Sequence, residues 1–268
     1  MTVKKNQPVK PVTKPYLTGA VTDENTLKKV LRFFGTMLLI VFMTFIVCTM
    51  MNFGNGLLRV GANAAVVLLI LFILYNQGQM HGAEAVARGE ILYQRQEKGL
   101  EVTANERRLS YHPLKGYVTA MIGMIPFIIL ALIIAFTAEK QTTSAGTLPS
   151  WTSSLLRRSD IGGALVSYTQ GDPVVAADII RMIVRVTIMP FVSMAGSENR
   201  EMMLTVERIS PLLLMLPVIA YGTGFLFGKN IRTKIHTQIE ENRKIRKRRE
   251  NRARRARQRA SAGPEQLN

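Results

Sequence analysis

Residues 33–51 read FFGTMLLIVFMTFIVCTMM, a run of nineteen residues without a charged side chain. At the α-helical rise of about 1.5 Å per residue, such a run is roughly 28 Å long, which matches the hydrocarbon core of a bilayer. The run begins later than a secretory signal would and does not end at small residues, so we expect it to stay uncleaved. It therefore predicts a first transmembrane helix.

Three further apolar runs resemble the first in length and composition. Residues 57–75 follow the turn sequence NFGNG, which predicts a tight helical hairpin with the first span. Residues 117–138 carry no charge, and Pro126 predicts a kink there. Residues 210–228 begin with a serine–proline pair, a typical helix start. Together these runs predict an all-α membrane protein with four transmembrane helices in two hairpins.

The polar stretch between the second and third spans, residues 76–116, predicts a helical hairpin in water. Gly99 is a natural helix stop, and Thr103 with Glu106 matches a capping box at the start of a short second helix. The stretch contains six lysines and arginines. Since basic loops stay on the cytoplasmic side of a membrane, we place this hairpin in the cytoplasm.

Residues 139–208 form the predicted outer region. A helix at residues 173–194 would follow an Asp–Pro start and carry Asp178, Arg181 and Arg185 on one face. If this helix crossed the bilayer, each charge near its centre would cost about 2.5–3.5 kcal/mol on insertion scales. We therefore predict an interfacial or re-entrant amphipathic helix, and a fifth span is the alternative.

Both ends of the chain are basic, and the whole chain carries 35 lysines and arginines against 18 acids. Residues 1–22 are polar and contain several prolines, which predicts a disordered tail ahead of the helical membrane domain at residues 23–228. Residues 229–268 form a basic tail, and we expect a long basic C-terminal helix that continues the last span. Four spans then place both termini in the cytoplasm of a cell-membrane protein.

The predicted amphipathic helix provides the first candidate site. Arg59, Asp178, Arg181 and Arg185 would form a polar face or pathway within the membrane domain. The simpler interpretation is the solvated side of a surface helix, with Asp178 and Arg181 as a minor ion pair.

His112 and Lys115 lie where the chain re-enters the membrane, and they are candidates for phosphate binding or proton transfer. The simpler interpretation is an interfacial belt, because Tyr, His and Lys side chains are common at the membrane surface.

The basic tail is the third candidate site, with fourteen lysines and arginines against three glutamates in residues 229–260. It would bind anionic lipid, or RNA and the ribosome, and its simpler interpretation is a solvated anchor that only sets orientation. Aromatic residues are absent from this stretch, which does not favour base stacking. The candidate binding residues are Arg243, Lys244, Arg246, Lys247, Arg248, Arg249, Arg252, Arg254, Arg255, Arg257 and Arg259.

The sequence shows no catalytic signature such as GxxxxGK[ST], HExxH or GxSxG. The three histidines lack metal-ligand spacing, and a single cysteine excludes an intrachain disulfide. We therefore predict no catalytic residue, no metal site and no cofactor, and we expect a protein that is not an enzyme.

The scarcity of charge inside the membrane and its abundance in the tail favour a non-enzymatic scaffold or accessory subunit of a membrane assembly. Its partners would be the lipid bilayer, a protein partner or a second copy of the chain, and an anionic lipid or RNA at the tail. The alternatives are a permease or channel-like component using Asp178, Arg181 and Arg185, and an embedded enzyme using His112 and Lys115.

Overall fold

The computed structural model is helical throughout its described part, where no strand is present. Four helices are long and apolar enough to cross a membrane, as the sequence predicts. The all-α class and the number of candidate spans are thereby confirmed. The structure describes residues 11–51, 53, 55–138, 152, 154–155, 158–162, 165, 176–196 and 199–261.

Eight helices have described bounds; three of them each contain one candidate span, and the fourth candidate span, Glu201–Gln258, runs through two of them. Much of the predicted outer region, including residues 139–151 and 173–175, lies outside the described residues. The helices are α1 (Thr26–Met50), α2 (Gly56–Glu97), α3 (Ala104–Arg108), α4 (Lys115–Thr137), α5 (Ala176–Thr187), α6 (Met189–Ala195), α7 (Arg200–Leu213) and α8 (Met215–Ser261).

The apolar helices expose large hydrophobic side chains. Leu68 in α2 is 67% exposed, and Phe136 in α4 is 87% exposed. In water, such exposed apolar surfaces would cause aggregation, whereas in a bilayer they contact lipid tails, which are equally apolar. The exposed faces of α1, α2 and α4 therefore agree with the apolar composition that predicted the spans.

Helix α2 extends past the second predicted span. That span is predicted at residues 57–75, and α2 continues without interruption through Glu97, so it also includes the first helix of the predicted polar hairpin. No proline lies between residues 76 and 97, so every residue there has the backbone donor that a continuous helix needs.

The predicted helix start at Ser210 is wrong. Ser210 and Pro211 were predicted to begin a helix, but α7 begins at Arg200 and a short interruption follows at Leu214. Pro211 has no N–H for the carbonyl of Glu207, which is its partner in a regular helix. The Ser210 hydroxyl donates to that carbonyl instead, at 2.7 Å, so the helix passes through the proline.

The chain divides into two compact units. The apolar unit comprises Lys28–Ile73 and Thr119–Ala220, and the basic unit comprises Met1–Leu27, Leu74–Val118 and Tyr221–Asn268. In the apolar unit, the predicted amphipathic helix at residues 173–194 is divided at Ile188 into α5 and α6. Pro190 contributes to this division, because it cannot donate a backbone hydrogen bond within a continuous helix.

Two pairs of glycines in the basic unit allow α2 and α8 to touch through their backbones. A β-carbon on Gly78 or Gly82 of α2 would overlap backbone atoms of Tyr221 or Phe225. A β-carbon on Gly224 or Gly228 of α8 would overlap backbone atoms of Tyr75 or of Gly82 and its neighbour. Both pairs have small-xxx-small spacing, the pattern that permits close helix packing.

The N-terminal prediction needs correction for residues 11–22. They form no helix, but they are held against the basic unit by backbone hydrogen bonds from Leu17 to Gly89 at 3.1 Å and from Gly19 to Tyr111 at 2.9 Å. Composition correctly indicated that this segment has no core of its own. The segment is held in place because its backbone N–H groups donate to carbonyls in distant parts of the chain. Local composition does not reveal such contacts. Residues 1–10 lie outside the described residues.

The predicted capping box is present at the start of α3. Glu106 N–H donates to the Thr103 hydroxyl at 3.3 Å, and the Glu106 carboxylate accepts from Thr103 N–H at 3.2 Å. Gly99 has a φ of 73°, which fits a glycine helix stop. The pKa of Glu106 is lowered by three hydrogen bonds: from the Thr103 N–H, from the Thr103 hydroxyl and from the Arg95 guanidinium.

A Thr103→Ala change should loosen α3 by about 1 kcal/mol, the usual value of an N-cap. The amides of α3 should then exchange with solvent about fivefold faster in the full chain at neutral pH. Because the pKa of Glu106 is lowered, its contribution is present above the ordinary value of 4.5 and is lost as pH falls through the folded-state value. The difference between the two proteins should therefore shrink in acid; a constant difference down to the acid limit would contradict this explanation.

Candidate functional site

A buried carboxylate lies at the centre of the charged cluster in the apolar unit. Glu207 of α7 is 1% exposed, and its Oε1 lies 2.6 Å from Arg185 Nη2 and 3.5 Å from Arg181 Nε. Asp178 lies 3.6 Å from Arg181 but is half-exposed. Asp178, Arg181 and Arg185 lie on α5, and the two arginines share a partner from another helix.

The geometry of this cluster favours a structural role. Arg185 Nε donates to Glu207 Oε1 at 2.7 Å, so its guanidinium makes two contacts with one oxygen. Two cations and one buried carboxylate leave one net positive charge in a low-dielectric surrounding. The carboxylate of Asp178, on the exposed side of Arg181, partly offsets this positive charge. Pairing of this kind offsets part of the cost of burying an arginine.

Arg59, the fourth member of the predicted polar face, has a different neighbour. Its guanidinium lies against Gly196, where an added β-carbon would be 2.6 Å from Arg59 Nη2. Gly196 has a φ of 79°, a conformation that also favours glycine. The backbone carbonyl of Arg59 accepts from the fully buried Asn63 side chain at 2.8 Å. The structure thus unites Arg181 and Arg185 and places Arg59 at a separate contact.

Lys115, one of the two membrane-mouth candidates, is buried in the basic unit. Its ammonium lies 2.6 Å from Asp23 and donates to the carbonyls of Arg108 at 2.7 Å and Ser110 at 3.2 Å. An ammonium has three N–H donors, and these three contacts match that number. His112 instead accepts from the Leu114 amide at 3.3 Å through Nδ1. The arrangement gives Lys115 a cross-linking role between segments of the unit.

A second carboxylate, Glu90 of α2, pairs with α8 in the same unit. Glu90 is 4% exposed; its two oxygens lie 2.9 Å from Arg232 Nε and 2.8 Å from His236 Nε2. Two contacts from successive turns of α8 fix the two helices side by side at this level. The pair adds a polar contact to the glycine contacts closer to the spans.

Aromatic packing completes the core of the basic unit. Tyr111 is 3% exposed, and its ring stacks on Phe225 with centroids 5.6 Å apart. Its hydroxyl donates to the carbonyl of Leu226 at 3.1 Å. Burial, followed by the nearby Tyr16, raises the pKa of Tyr111 to about 12, so the phenol remains a donor at neutral pH.

The far part of α8 is an exposed, strongly basic surface. Every described residue from 242 to 258 is exposed, whereas Arg232 and His236 face α2. This exposed basic segment, residues 242–258, holds ten of the eleven predicted binding residues. The remaining one, Arg259, has its side chain outside the described part.

Sequence analysis missed the acidic partners of these clusters. Glu207 lies 22 residues from Arg185, and Glu90 lies 146 residues from His236, so no local spacing connects them. A carboxylate close to a predicted span was the available signal for Glu207, since such a group needs a partner. In the part of the chain that the structure describes, no three His, Cys, Asp or Glu side chains converge as metal ligands.

Comparison with known protein families, curated proteins and solved structures gives no match for this chain.

Proposed function

We propose that this chain is a non-enzymatic, multi-pass membrane protein that serves as a scaffold or accessory subunit of a membrane assembly. Its four spans anchor it, and both termini lie in the cytoplasm. The exposed basic segment then holds an acidic partner at the membrane. The observation that carries this proposal is the contrast between the buried carboxylates of the packed units, Asp23, Glu90 and Glu207, which pair with cations, and the cations of the segment, which are exposed.

The paired charges also favour an anchor over a permease. Arg181 and Arg185 share Glu207, so the predicted polar face is largely neutralised by its own unit. A substrate anion at that face would have to compete with a buried carboxylate 2.6 Å from Arg185. The exposed segment has no such competitor over most of its length, since Glu250 is its single acid.

The test compares the native chain with a full-length variant in which the ten cations of the exposed basic segment are replaced by glutamine. Extracted from membranes in mild detergent, the native chain should migrate in a particle larger than itself. The variant should lose at least one acidic component and migrate as a smaller particle. Particles of equal size with the same components would refute the proposal. In a separate measurement, reporters fused to the two termini should both report the cytoplasmic side.

A further inference from the structure

The exposed basic segment extends beyond its supporting helix. Glu90 is level with Arg232 and His236, and α2 ends seven residues later at Glu97. Residues of α8 past about 240 therefore have no neighbouring α2 residues to pack on. The segment nevertheless remains helical to Ser261. It is a cationic rod with solvent around it in this structure.

Such a rod repels itself in the absence of counter-charge. The segment has ten lysines and arginines and one glutamate, and positions 243 and 247, 244 and 248, and 248 and 252 are like-charged at i,i+4 spacing. Each such pair destabilises a helix by about 0.2–0.5 kcal/mol. Two ion pairs offset part of this repulsion: Arg246 with Glu250 at 2.9 Å, and Arg243 with Glu240, just before the segment, at 3.7 Å. A polyanion that neutralises the cations would stabilise the helix as it binds.

Arginine dominates the segment, with eight arginines and two lysines. Orientation in the membrane is set by lysine and arginine alike, so it does not require this bias. Phosphate recognition does favour arginine, because the planar guanidinium donates two parallel hydrogen bonds to phosphate oxygens. The composition therefore points to phosphate groups as the ligand.

The phosphates of a lipid surface fit this segment poorly. A helix lying on a membrane buries an apolar face, but Ile245 is the single large apolar residue among residues 242–258. Along the helix, Arg243 lies fifteen residues beyond Gly228, or about 22 Å at 1.5 Å per residue. The field of a charged surface fades over about 8 Å at physiological salt.

The distribution of cations around the helix identifies a better ligand. At about 100° per residue, no arc wider than roughly 60° lacks a lysine or arginine in residues 243–257. A flat surface would leave half of these cations unused. The groove of a nucleic-acid duplex has phosphates on both walls and a width near that of a helix, about 12 Å in B-form DNA. Aromatic residues are absent here, so stacking on single-stranded bases is not supported.

We infer that the exposed basic segment, residues 242–258, binds the phosphates of double-helical nucleic acid. The inference rests on the proposed function and names the chemistry of the acidic partner. Binding depends on charge and on the arginine fork, and it carries no sequence specificity.

The test uses the full chain in nanodiscs of zwitterionic lipid, with a fluorescent 16-base-pair RNA hairpin as probe and a DNA duplex of equal length beside it. The native chain should bind both, with a slope of log affinity against log salt of about −5 for six phosphate contacts. Glutamine at all ten cations should abolish binding at 150 mM salt. Lysine at the eight arginines should keep the salt slope but weaken affinity about tenfold.

Three results would overturn the inference. One is equal duplex binding by the native chain and the glutamine variant. Another is tighter binding to vesicles with 30% phosphatidylserine than to either duplex at 150 mM salt. The third is displacement of the hairpin by polyglutamate of equal charge at a lower concentration than an unlabelled duplex requires, which would point to an acidic protein. If the native assembly still depends on the segment in any of these cases, the scaffold proposal survives; if it does not, the proposal fails independently of the duplex.

Discussion

Replacing Glu207 with glutamine is expected to destabilise the protein by about 3 kcal/mol or more, because the change leaves two cations near lipid without their carboxylate. Arg181 is mostly buried, and Arg185 lies 2.6 Å from Glu207. Removing one partner of a buried ion pair costs about 3–5 kcal/mol, since the remaining charge keeps its desolvation cost and loses its attraction. Glutamine preserves shape, so the loss reports charge.

The measurement is unfolding of the purified full chain in mild detergent, followed by loss of helical circular dichroism against denaturant. Arg208→Gln is the matched control, because Arg208 is the next residue on α7 and is exposed. It also changes charge by one and should shift stability by no more than about 0.5 kcal/mol. Equal behaviour of the two variants would show that Glu207 is not an essential counter-ion.

Substituting valine for Gly82 should strongly destabilise the basic unit. A β-carbon there would overlap the backbone of Phe225, and a backbone cannot move aside as a flexible side chain can. Overpacking typically costs about 1–3 kcal/mol, and contact between two backbones belongs at the upper end or beyond. The helices would have to separate, and the Glu90 contacts with Arg232 and His236 would lengthen with them.

Gly61→Val is the matched control, since Gly61 lies on the same helix and an added β-carbon would meet nothing within 4 Å. A side chain there should be neutral or slightly stabilising, because glycine is a poor helix former. Limited proteolysis of the two variants in detergent should cut only the Gly82 variant faster between residues 76 and 97. Identical cutting would mean that α2 and α8 do not meet through these glycines.

The sequence predicted the features that depend on local pattern. Apolar runs of about twenty residues predicted the four candidate spans, and one-turn spacings predicted the Thr103 capping box and the Asp178–Arg181–Arg185 stripe. Pairings between distant segments could not be predicted, because Glu207, Glu90 and Asp23 have partners set by tertiary packing. Composition also suggested disorder for residues 11–22, whereas hydrogen bonds to Gly89 and Tyr111 hold that segment.

The pairing of glycines on α2 and α8 has a consequence for the far end of α8. Sliding α2 by one helical turn would bring Val86 to the position of Gly82, where only hydrogen fits, so the crossing holds the longitudinal register of α8. Inserting one residue after His236 would turn the distal rod by about 100° and extend it by about 1.5 Å. Since guanidinium and ammonium groups point in every direction, the turned rod would present nearly the same charge. The glycine contacts thus fix how far the cations extend along the axis of α8, whereas the rotation of the segment about that axis matters little.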